Sequence, residues 1–251
     1  MSVAVIGGGL AGISAALTLQ DAGVEVDLYE ASNDIGGRVR TDYIDGYTLD
    51  HGFQLINNGY SELKRLKVVN EIDFVSFSRS VDVVTPLGVS TIADPRSAPV
   101  KALFSPLGST KEKVSIVKYL STTSESSESC EAECQRAGLG DLYLNVLKPF
   151  LRGVLFAELN TVDAAYAKNI IKTFVHGQSG LPRAGAGVLS EALAARIENV
   201  HLNHKVNSLD EFGKRKVIIA TDEFSADRLL GLPSASTWQR SVTWYHAIET
   251  G

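Results

Sequence analysis

The sequence predicts an α/β fold built on a parallel sheet, and three observations near the amino terminus lead to this class. Residues 3–6 (VAVI) form a short, wholly apolar run, which is typical of a strand buried on both faces. Residues 10–22 follow with apolar side chains at helical spacing, and Gly23 is suited to end that helix. Residues 24–30 predict a second strand. A strand, a helix and a strand in this order predict a βαβ unit.

The composition of the chain argues against several classes of protein. Of the 251 residues, 44% are hydrophobic and 21% are charged, which suits one large domain or two interleaved ones with a buried core. The formal net charge of −5 and the lack of an arginine-rich stripe argue against nucleic acid as a partner. No apolar stretch approaches the roughly 18 residues that a spanning helix needs, although contact with a membrane surface stays open.

The two cysteines, Cys130 and Cys134, favour a reducing environment. They are too few for a disulfide framework, and their spacing places two free thiols on one helical face, with a disulfide or a metal site as the alternative. The sequence predicts no secretory leader ahead of the strand that starts at Val3. We therefore expect a cytoplasmic protein without a metal site.

Three glycines lie where the first predicted strand meets the first helix. Gly7, Gly9 and Gly12 have the order G-x-G-x-x-G: the first permits a tight turn, the second lets the backbone approach a pyrophosphate, and the third lets the helix pack close to the strand. The helix N-terminus adds free N–H groups and a partial positive charge. Glu30 ends the second strand, where it can accept hydrogen bonds from ribose hydroxyls. Together these features predict dinucleotide binding.

A second glycine pair distinguishes between the dinucleotides. Gly36 and Gly37 precede Arg38 shortly after the second strand, and they would bring further backbone and a guanidinium to the pyrophosphate. A nicotinamide-dependent dehydrogenase has no need of this cluster, and the acidic Glu30 disfavours the 2′-phosphate of NADP. The cluster therefore argues against a nicotinamide-dependent dehydrogenase.

These segments resemble the flavin amine oxidase superfamily, within it the phytoene-desaturase-like branch. The resemblance is carried by GGGLAG, YEA and GGR in the first forty residues, and by LDHGFQLI at 49–56, KPFLRGVLF at 148–156, LPRAGAGVLSEALAARI at 181–197 and VIIATDEFSADRLL at 217–230. It implies a Rossmann-like FAD-binding domain with an inserted α+β substrate domain. It also implies an oxidoreductase that transfers hydride from an apolar or amine-bearing small molecule to flavin. The substrate and the oligomeric state do not follow from it.

The resemblance further implies which residues contact FAD. Gly37 and Arg38 would lie along the pyrophosphate, and residues 52–54 near the flavin. Val206, in a strand predicted over residues 200–209, would meet the adenine through its backbone, with plain core packing as the alternative. The residues expected to bind FAD are Gly7, Gly9, Leu10, Ala11, Gly12, Glu30, Gly37, Arg38, Gly52, Phe53, Gln54 and Val206.

Catalytic side chains stay unassigned, because in FAD oxidoreductases the cofactor carries the hydride step. His51 is a candidate proton shuttle next to the expected flavin position, with a hydrogen-bonding role in a turn as the alternative. Lys168, Lys172 and Arg183 are candidates for contact with an anionic substrate, and solvated surface charges are the alternative that we favour.

The remaining segments define the expected domains. Residues 73–98 predict short strands and turns, and residues 110–175 predict helices. A helix capped by Ser225 and closed by Gly231 is expected near the end. The FAD-binding domain would then comprise residues 1–60 and 180–231, the substrate domain residues 61–179, and residues 232–251 would begin a return to the substrate domain.

The chain departs from the family pattern in one respect. Members of the family continue with a further strand and helix that complete the flavin site, and we expect this C-terminal part to be lacking here. An incomplete, non-catalytic dinucleotide-binding protein is therefore the alternative to an active oxidoreductase.

Overall fold

The structure is a computed structural model, and it describes residues 2–52, 54–85, 88–93, 107–124, 128–233 and 241–248. The chain divides into two compact units. The first comprises Met1–Ile56, Ser61–Val75 and Gly180–Gly251, and the second comprises Asn57–Tyr60 and Ser76–Ser179. Along the sequence, most of the second unit therefore lies between segments of the first.

Strands predominate in the first part of the chain, and helices dominate its middle. The strands are β1 (Val3–Ile6), β2 (Val26–Tyr29), β3 (Thr41–Ile44), β4 (Tyr47–Asp50), β5 (Ile56–Asn57), β6 (Phe74–Ser76), β7 (Ser80–Thr85), β8 (Gly88–Ala93), β9 (Ser179–Pro182), β10 (Asn199–His201) and β11 (Lys216–Ile219). The α-helices are α1 (Leu10–Asp21), α2 (Ser61–Leu66), α3 (Thr110–Ser121), α4 (Cys130–Arg136), α5 (Gly140–Leu142), α6 (Lys148–Leu155), α7 (Ala164–His176), α8 (Gly187–Ala194) and α9 (Glu223–Leu230). Val68–Asn70 and Leu209–Phe212 are 3₁₀ turns, and Tyr143–Leu147 is a π-helical segment.

A four-stranded parallel sheet of order β10-β2-β1-β11 lies at the centre of the first unit. In β1, Val5 lies opposite Leu28 of β2 on one side and Ile218 of β11 on the other. All four residues of β1 are buried, as the apolar run predicts for a strand covered on both faces. The parallel sheet, with a helix between β1 and β2, confirms the predicted α/β class.

Helices α1 and α8 cover this sheet with their apolar faces. Ile13 of α1 and Leu189 and Leu193 of α8 belong to one buried cluster with Val5 and Leu28 of the sheet. Each such side chain contributes about 1.5–3 kcal/mol when it is fully removed from water. This packing fixes the N-terminus of α1 relative to the ends of the strands.

Two predicted boundaries in the first unit are wrong. The strand expected over residues 200–209 ends at His201, because the chain turns at Asn203, whose φ is +55°. Helix α9 is capped by Asp222, whose carboxylate accepts the N–H of Ser225 at 3.0 Å, and not by Ser225 itself. Gly231 ends α9 in the left-handed conformation, as predicted.

The smaller sheets are a β3–β4 hairpin, a β7–β8 hairpin and a three-stranded sheet of order β5-β9-β6. Strands β6, β7 and β8 account for the short strands predicted over residues 73–98, of which 86–87 and 94–98 lie outside the described residues. In the β3–β4 hairpin, Thr41 lies opposite Asp50.

Helices form the core of the second unit, as predicted for residues 110–175. Each of three helices begins at a residue whose side chain accepts a backbone N–H: Ser109 for α3, Ser129 for α4 and Asp163 for α7. Cys130 and Cys134 are free, fully buried thiols on α4. No helix among the described residues is long and apolar enough to cross a bilayer.

A buried ion pair joins α4 to α7. Lys168 and Glu133 are 2% and 4% exposed, and Lys168 Nζ lies 2.7 Å from Glu133 Oε1. Lys168 Nζ also lies 4.1 Å from the centre of the Tyr119 ring, and Ser124 Oγ donates to Glu133 at 2.9 Å. The expectation that Lys168 is a solvated surface charge is therefore wrong. Sequence periodicity could not reveal this, because its partner Glu133 is 35 residues away.

Candidate functional site

The glycine-rich turn after β1 is too tight for side chains at two of its glycines. Gly7 has a φ of +109°, and a Cβ there would lie 2.7 Å from the carbonyl oxygen of Ala220. A Cβ on Gly12 would lie 1.8 Å from the carbonyl oxygen of Gly7. The first glycine therefore permits the turn, and the third permits helix α1 to approach it closely.

The N-terminus of α1 presents backbone donors at this turn. Gly9 is the N-cap, the first turn holds no acidic side chain, and no side chain of the described residues caps it. The first hydrogen bond within the helix runs from the N–H of Ile13 to the carbonyl oxygen of Gly9, at 3.0 Å. The N–H groups of Leu10 and Ala11 therefore have no acceptor within the helix. Free donors and the helix dipole together suit the phosphates of a dinucleotide.

The second glycine cluster lies directly against the first. Gly36 donates its N–H to the carbonyl oxygen of Gly8 at 2.7 Å, and Gly9 and Gly36 form a parallel bridge. A Cβ on Gly37 would lie 3.2 Å from the Cα of Gly9. The structure thus brings Gly37 and Arg38, which follow the second strand, to the turn that follows the first.

Glu30 is held in place by two residues that sequence reasoning missed. Its Oε2 accepts the N–H of Gly8 at 2.7 Å, and its Oε1 accepts both the N–H and the hydroxyl of Ser32 at 2.8 Å. A carboxylate has about four lone-pair sites, so Glu30 keeps acceptor capacity for ribose hydroxyls. The sequence carried one signal for this arrangement, since a serine two residues after an acidic residue often bonds locally.

The residues expected near the flavin also connect to the second glycine cluster. Gln54 Nε2 donates to the carbonyl oxygens of Arg38 at 3.1 Å and His51 at 2.7 Å. Gly52 has a φ of +78° in the same short segment. Phe53 lies outside the described residues.

His51 bonds within the β3–β4 hairpin region. Its Nε2 lies 2.8 Å from Asp42 Oδ2, and both side chains are exposed. This geometry favours the hydrogen-bonding role over the proton shuttle. No contact of the described residues assigns a catalytic side chain.

Val206 has a buried side chain, and its backbone is the part expected to contact adenine. The side chain is 4% exposed and packs with Ala4, Ile6 and Phe212, which is the core packing that we kept as the alternative. The segment before it runs beside Glu30, whose carbonyl oxygen accepts the N–H of His204 at 2.8 Å. Contact between the Val206 backbone and adenine stays a prediction.

A polar network lies on β2 next to this end of the sheet. Burial would raise the pKa of Asp27, but hydrogen bonds with His201 and Arg215 outweigh that effect and hold the pKa below its ordinary value. The rings of Tyr29 and His201 are stacked, with centroids 4.7 Å apart. These contacts hold β10 to β2 beside Glu30, and sequence spacing gave no sign of them.

A parallel sheet with a glycine-rich turn, a free helix N-terminus and a held acidic residue defines a dinucleotide-binding protein. Residues 10–230 match the family model described as flavin containing amine oxidoreductase, and the chain belongs to this family. Membership confirms the predicted family, and with it a flavin cofactor, FAD, in place of a nicotinamide.

Two curated relatives match parts of the chain. Polyamine oxidase 2 of Arabidopsis thaliana is 42% identical over 81 residues, which are 32% of this chain and 16% of the relative. The 4,4'-diaponeurosporene oxygenase of Staphylococcus aureus (strain USA300) is 45% identical over 58 residues, which are 23% of this chain and 12% of the relative. The chain therefore matches less than a fifth of the length of either relative.

Solved structures share the fold over most of the chain. An oxidoreductase from Methanosarcina mazei superimposes with a TM-score of 0.63 at 23% identity. The match covers 83% of this chain and 52% of the Methanosarcina mazei chain. Putrescine oxidase bound to putrescine superimposes with a TM-score of 0.58 at 20% identity. The match covers 82% of this chain and 51% of the putrescine oxidase chain. The chain thus spans about half the length of these proteins, and identities this low establish the fold alone.

Proposed function

We propose that this chain binds FAD and belongs to an FAD-dependent oxidoreductase of the amine oxidase and phytoene desaturase type. The observation that carries the proposal is the hydrogen bond from Gly36 to Gly8, which joins two glycine clusters over the uncapped N-terminus of α1. A nicotinamide site needs only the first of these clusters.

Each part of the site has a role in this proposal. The N–H groups of Leu10 and Ala11 bind the pyrophosphate, and Glu30 accepts hydrogen bonds from the ribose of the adenosine half. Arg38 supplies positive charge beside the pyrophosphate. Gly52 and Gln54 border the flavin half. Bound flavin supplies the acceptor for a hydride, and the protein supplies orientation and electrostatics.

We further propose a small organic molecule, apolar or amine-bearing, as the substrate. Support comes from the names of the relatives, since one oxidises polyamines and another is an oxygenase of diaponeurosporene. The two buried free thiols support a reducing, cytoplasmic location.

The test is a titration of the purified chain with FAD, followed by gel filtration and a visible absorption spectrum. We expect flavin absorption to stay with the protein and NAD⁺ to compete poorly. A chain that retains no FAD, or that prefers NAD⁺, would contradict the proposal.

A second measurement separates an active oxidoreductase from the non-catalytic alternative. Polyamines and apolar polyenes are added anaerobically to the FAD-loaded chain. Loss of the flavin absorption identifies the substrate class. Retained FAD that neither class bleaches favours a dinucleotide-binding protein without turnover.

A further inference from the structure

Two side chains of the β3–β4 hairpin bond to each other where the hairpin begins and ends. Thr41 is the first residue of β3, Asp50 is the last residue of β4, and the Thr41 hydroxyl donates to Asp50 Oδ1 at 2.6 Å. Thr41 is 9% exposed. A hydroxyl and a carboxylate in this position tie the two ends of the hairpin together.

The same two side chains cap helix α8. Asp50 Oδ1 accepts the N–H of Ala186 at 2.8 Å, and Thr41 Oγ1 accepts the N–H of Gly187 at 2.8 Å. The N-cap residue Ala186 has no side chain that could do this itself. The helix therefore obtains its first acceptors from residues far away in sequence.

The glycines of the RAGAG stretch permit this contact. A Cβ on Gly185 would lie 2.5 Å from Thr41 Cγ2, and a Cβ on Gly187 would lie 2.9 Å from the Thr41 backbone nitrogen. Gly185 also has a φ of +101°. Residues 183–187 (RAGAG) therefore pack closely against Thr41, which gives this segment a structural role that the sequence pattern did not explain.

Two segments assigned to FAD leave directly from this network: one holds Arg38, expected at the pyrophosphate, and the other holds Gly52 and Gln54, expected at the flavin half. Thr41 closely follows Arg38, and between them Val39 accepts a hydrogen bond at 3.0 Å from the hydroxyl of Ser190, a residue of α8. Asp50 directly precedes the segment that ends in Gln54, and Gln54 donates to the carbonyl oxygen of Arg38. The two parts of the site expected to bind ADP are held by other contacts, those of Glu30 on the adenosine side and the bond from Gly36 to Gly8 at the pyrophosphate.

We propose that Thr41 and Asp50 are positioning residues, which hold Gly52 and Gln54 in the arrangement needed to bind the flavin half of FAD. The inference rests on the proposed function, since it assigns these segments to FAD. The inference predicts that loss of this network lowers the affinity for FAD. The affinity for ADP, which lacks the flavin half, should stay nearly unchanged.

The test compares Thr41→Val with Thr41→Ser. Valine keeps the branched shape and removes the hydroxyl, which leaves the N–H of Gly187 without its acceptor, whereas serine keeps the hydroxyl. The Kd values for FAD and for ADP are measured by titration, and thermal unfolding of the cofactor-free proteins is followed in parallel. We expect Thr41→Val to raise the Kd for FAD about tenfold and the Kd for ADP less than about twofold, with Thr41→Ser close to wild type.

The outcomes separate the inference from the proposed function. A wild-type chain that binds no FAD defeats the proposed function and this inference with it. A wild-type chain that binds FAD, together with a Thr41→Val variant that loses affinity for FAD and ADP equally or for neither, overturns the positioning role alone. If Thr41→Val does not fold, Asp50→Asn is compared in the same way, because it keeps the shape of the side chain and removes its charge from the helix N-terminus.

Discussion

Gly36 donates its backbone N–H to the carbonyl oxygen of Gly8 at 2.7 Å, so the two glycine clusters of the sequence are one structural feature. Because this hydrogen bond joins two backbone groups, a substitution at a glycine of either cluster adds side-chain atoms to the site but removes no hydrogen-bonding group. The site can therefore be tested by adding single methyl groups.

Gly9→Ala is expected to preserve the fold and to weaken FAD binding about tenfold or more. A Cβ on Gly9 has only the Cα of Gly37 in contact range, at 4.0 Å, so the methyl group fits the protein. It occupies the turn where the backbone must approach a pyrophosphate. The measurement is the Kd for FAD, with the thermal midpoint of the cofactor-free protein as a check on folding.

Gly153→Ala is the matched control for that variant. A Cβ on Gly153 meets nothing within 4 Å, and the residue lies in α6 of the second unit. It should bind FAD like the wild type. Unchanged FAD affinity in Gly9→Ala would remove the glycine-rich turn from the proposed site.

Ser32→Ala is expected to weaken the binding of both FAD and ADP about fivefold. The variant removes the hydroxyl that donates to Glu30 Oε1 at 2.8 Å, and one such hydrogen bond is worth about 1 kcal/mol. Because the proposal places Glu30 at the adenosine half, which FAD and ADP share, the loss should be equal for the two ligands. Ser121→Ala, which removes a hydroxyl bonded to Val117 in α3, should change neither Kd.

Lys168→Met is expected to lower the free energy of unfolding by about 3–5 kcal/mol. The variant removes the cation 2.7 Å from the buried carboxylate of Glu133, and the exposed guanidinium of Arg136, 4.0 Å away, is too distant to replace that hydrogen bond. Urea denaturation at neutral pH measures the effect. Lys118→Met, at an exposed position of α3, should stay within about 0.5 kcal/mol of wild type. A similar small effect at Lys168 would show that the pair is not buried in solution.

Glu62→Gln should lower stability at neutral pH but not in acid. Hydrogen bonds from Arg65 and Ser14 lower the pKa of Glu62 from 4.5 to about 2 in the folded protein. A depressed folded-state pKa adds stability above the unfolded-state value, and that stability is lost as the pH falls toward 2. Because the side chain is about half exposed, we expect a difference below about 1 kcal/mol at pH 7.

The measurement for Glu62 is a series of urea denaturations of both proteins between pH 7 and pH 2. The difference in unfolding free energy should shrink between about pH 4.5 and pH 2. A difference that is constant over this range would mean that the carboxylate titrates alike in the folded and unfolded chain.

Local patterns were sufficient to predict the first βαβ unit and its glycines. Periodicity places Val5 and Ile13 in the core, and the turn glycines are specified by the backbone geometry that they permit. The strand through Val206 was wrong for a physical reason: the alternation of apolar residues continues after the hydrogen-bonded strand has ended at His201. Leu202 is 41% exposed and Val206 is 4% exposed, so the alternation after His201 corresponds neither to strand pairing nor to regular burial.

Contacts between distant segments could not be predicted. Asp50 caps a helix that begins 137 positions later, at Gly187, and Lys168 meets Glu133 across two helices. Because the partners lie far apart in the sequence, neither contact produces a local spacing pattern that could predict it. The sequence therefore predicted where the glycine-rich backbone turns, but not which side chains hold that backbone in place.

The order of the strands in the central sheet has a consequence for synthesis of the chain. Val3 of β1 pairs with Lys216 of β11, so one edge of the first strand stays open until nearly all the described residues have left the ribosome. At ordinary translation rates that interval is roughly 10–40 s, long compared with the closure of local loops. During it, β1 has an unpaired edge, and unpaired strand edges are sites at which chains aggregate.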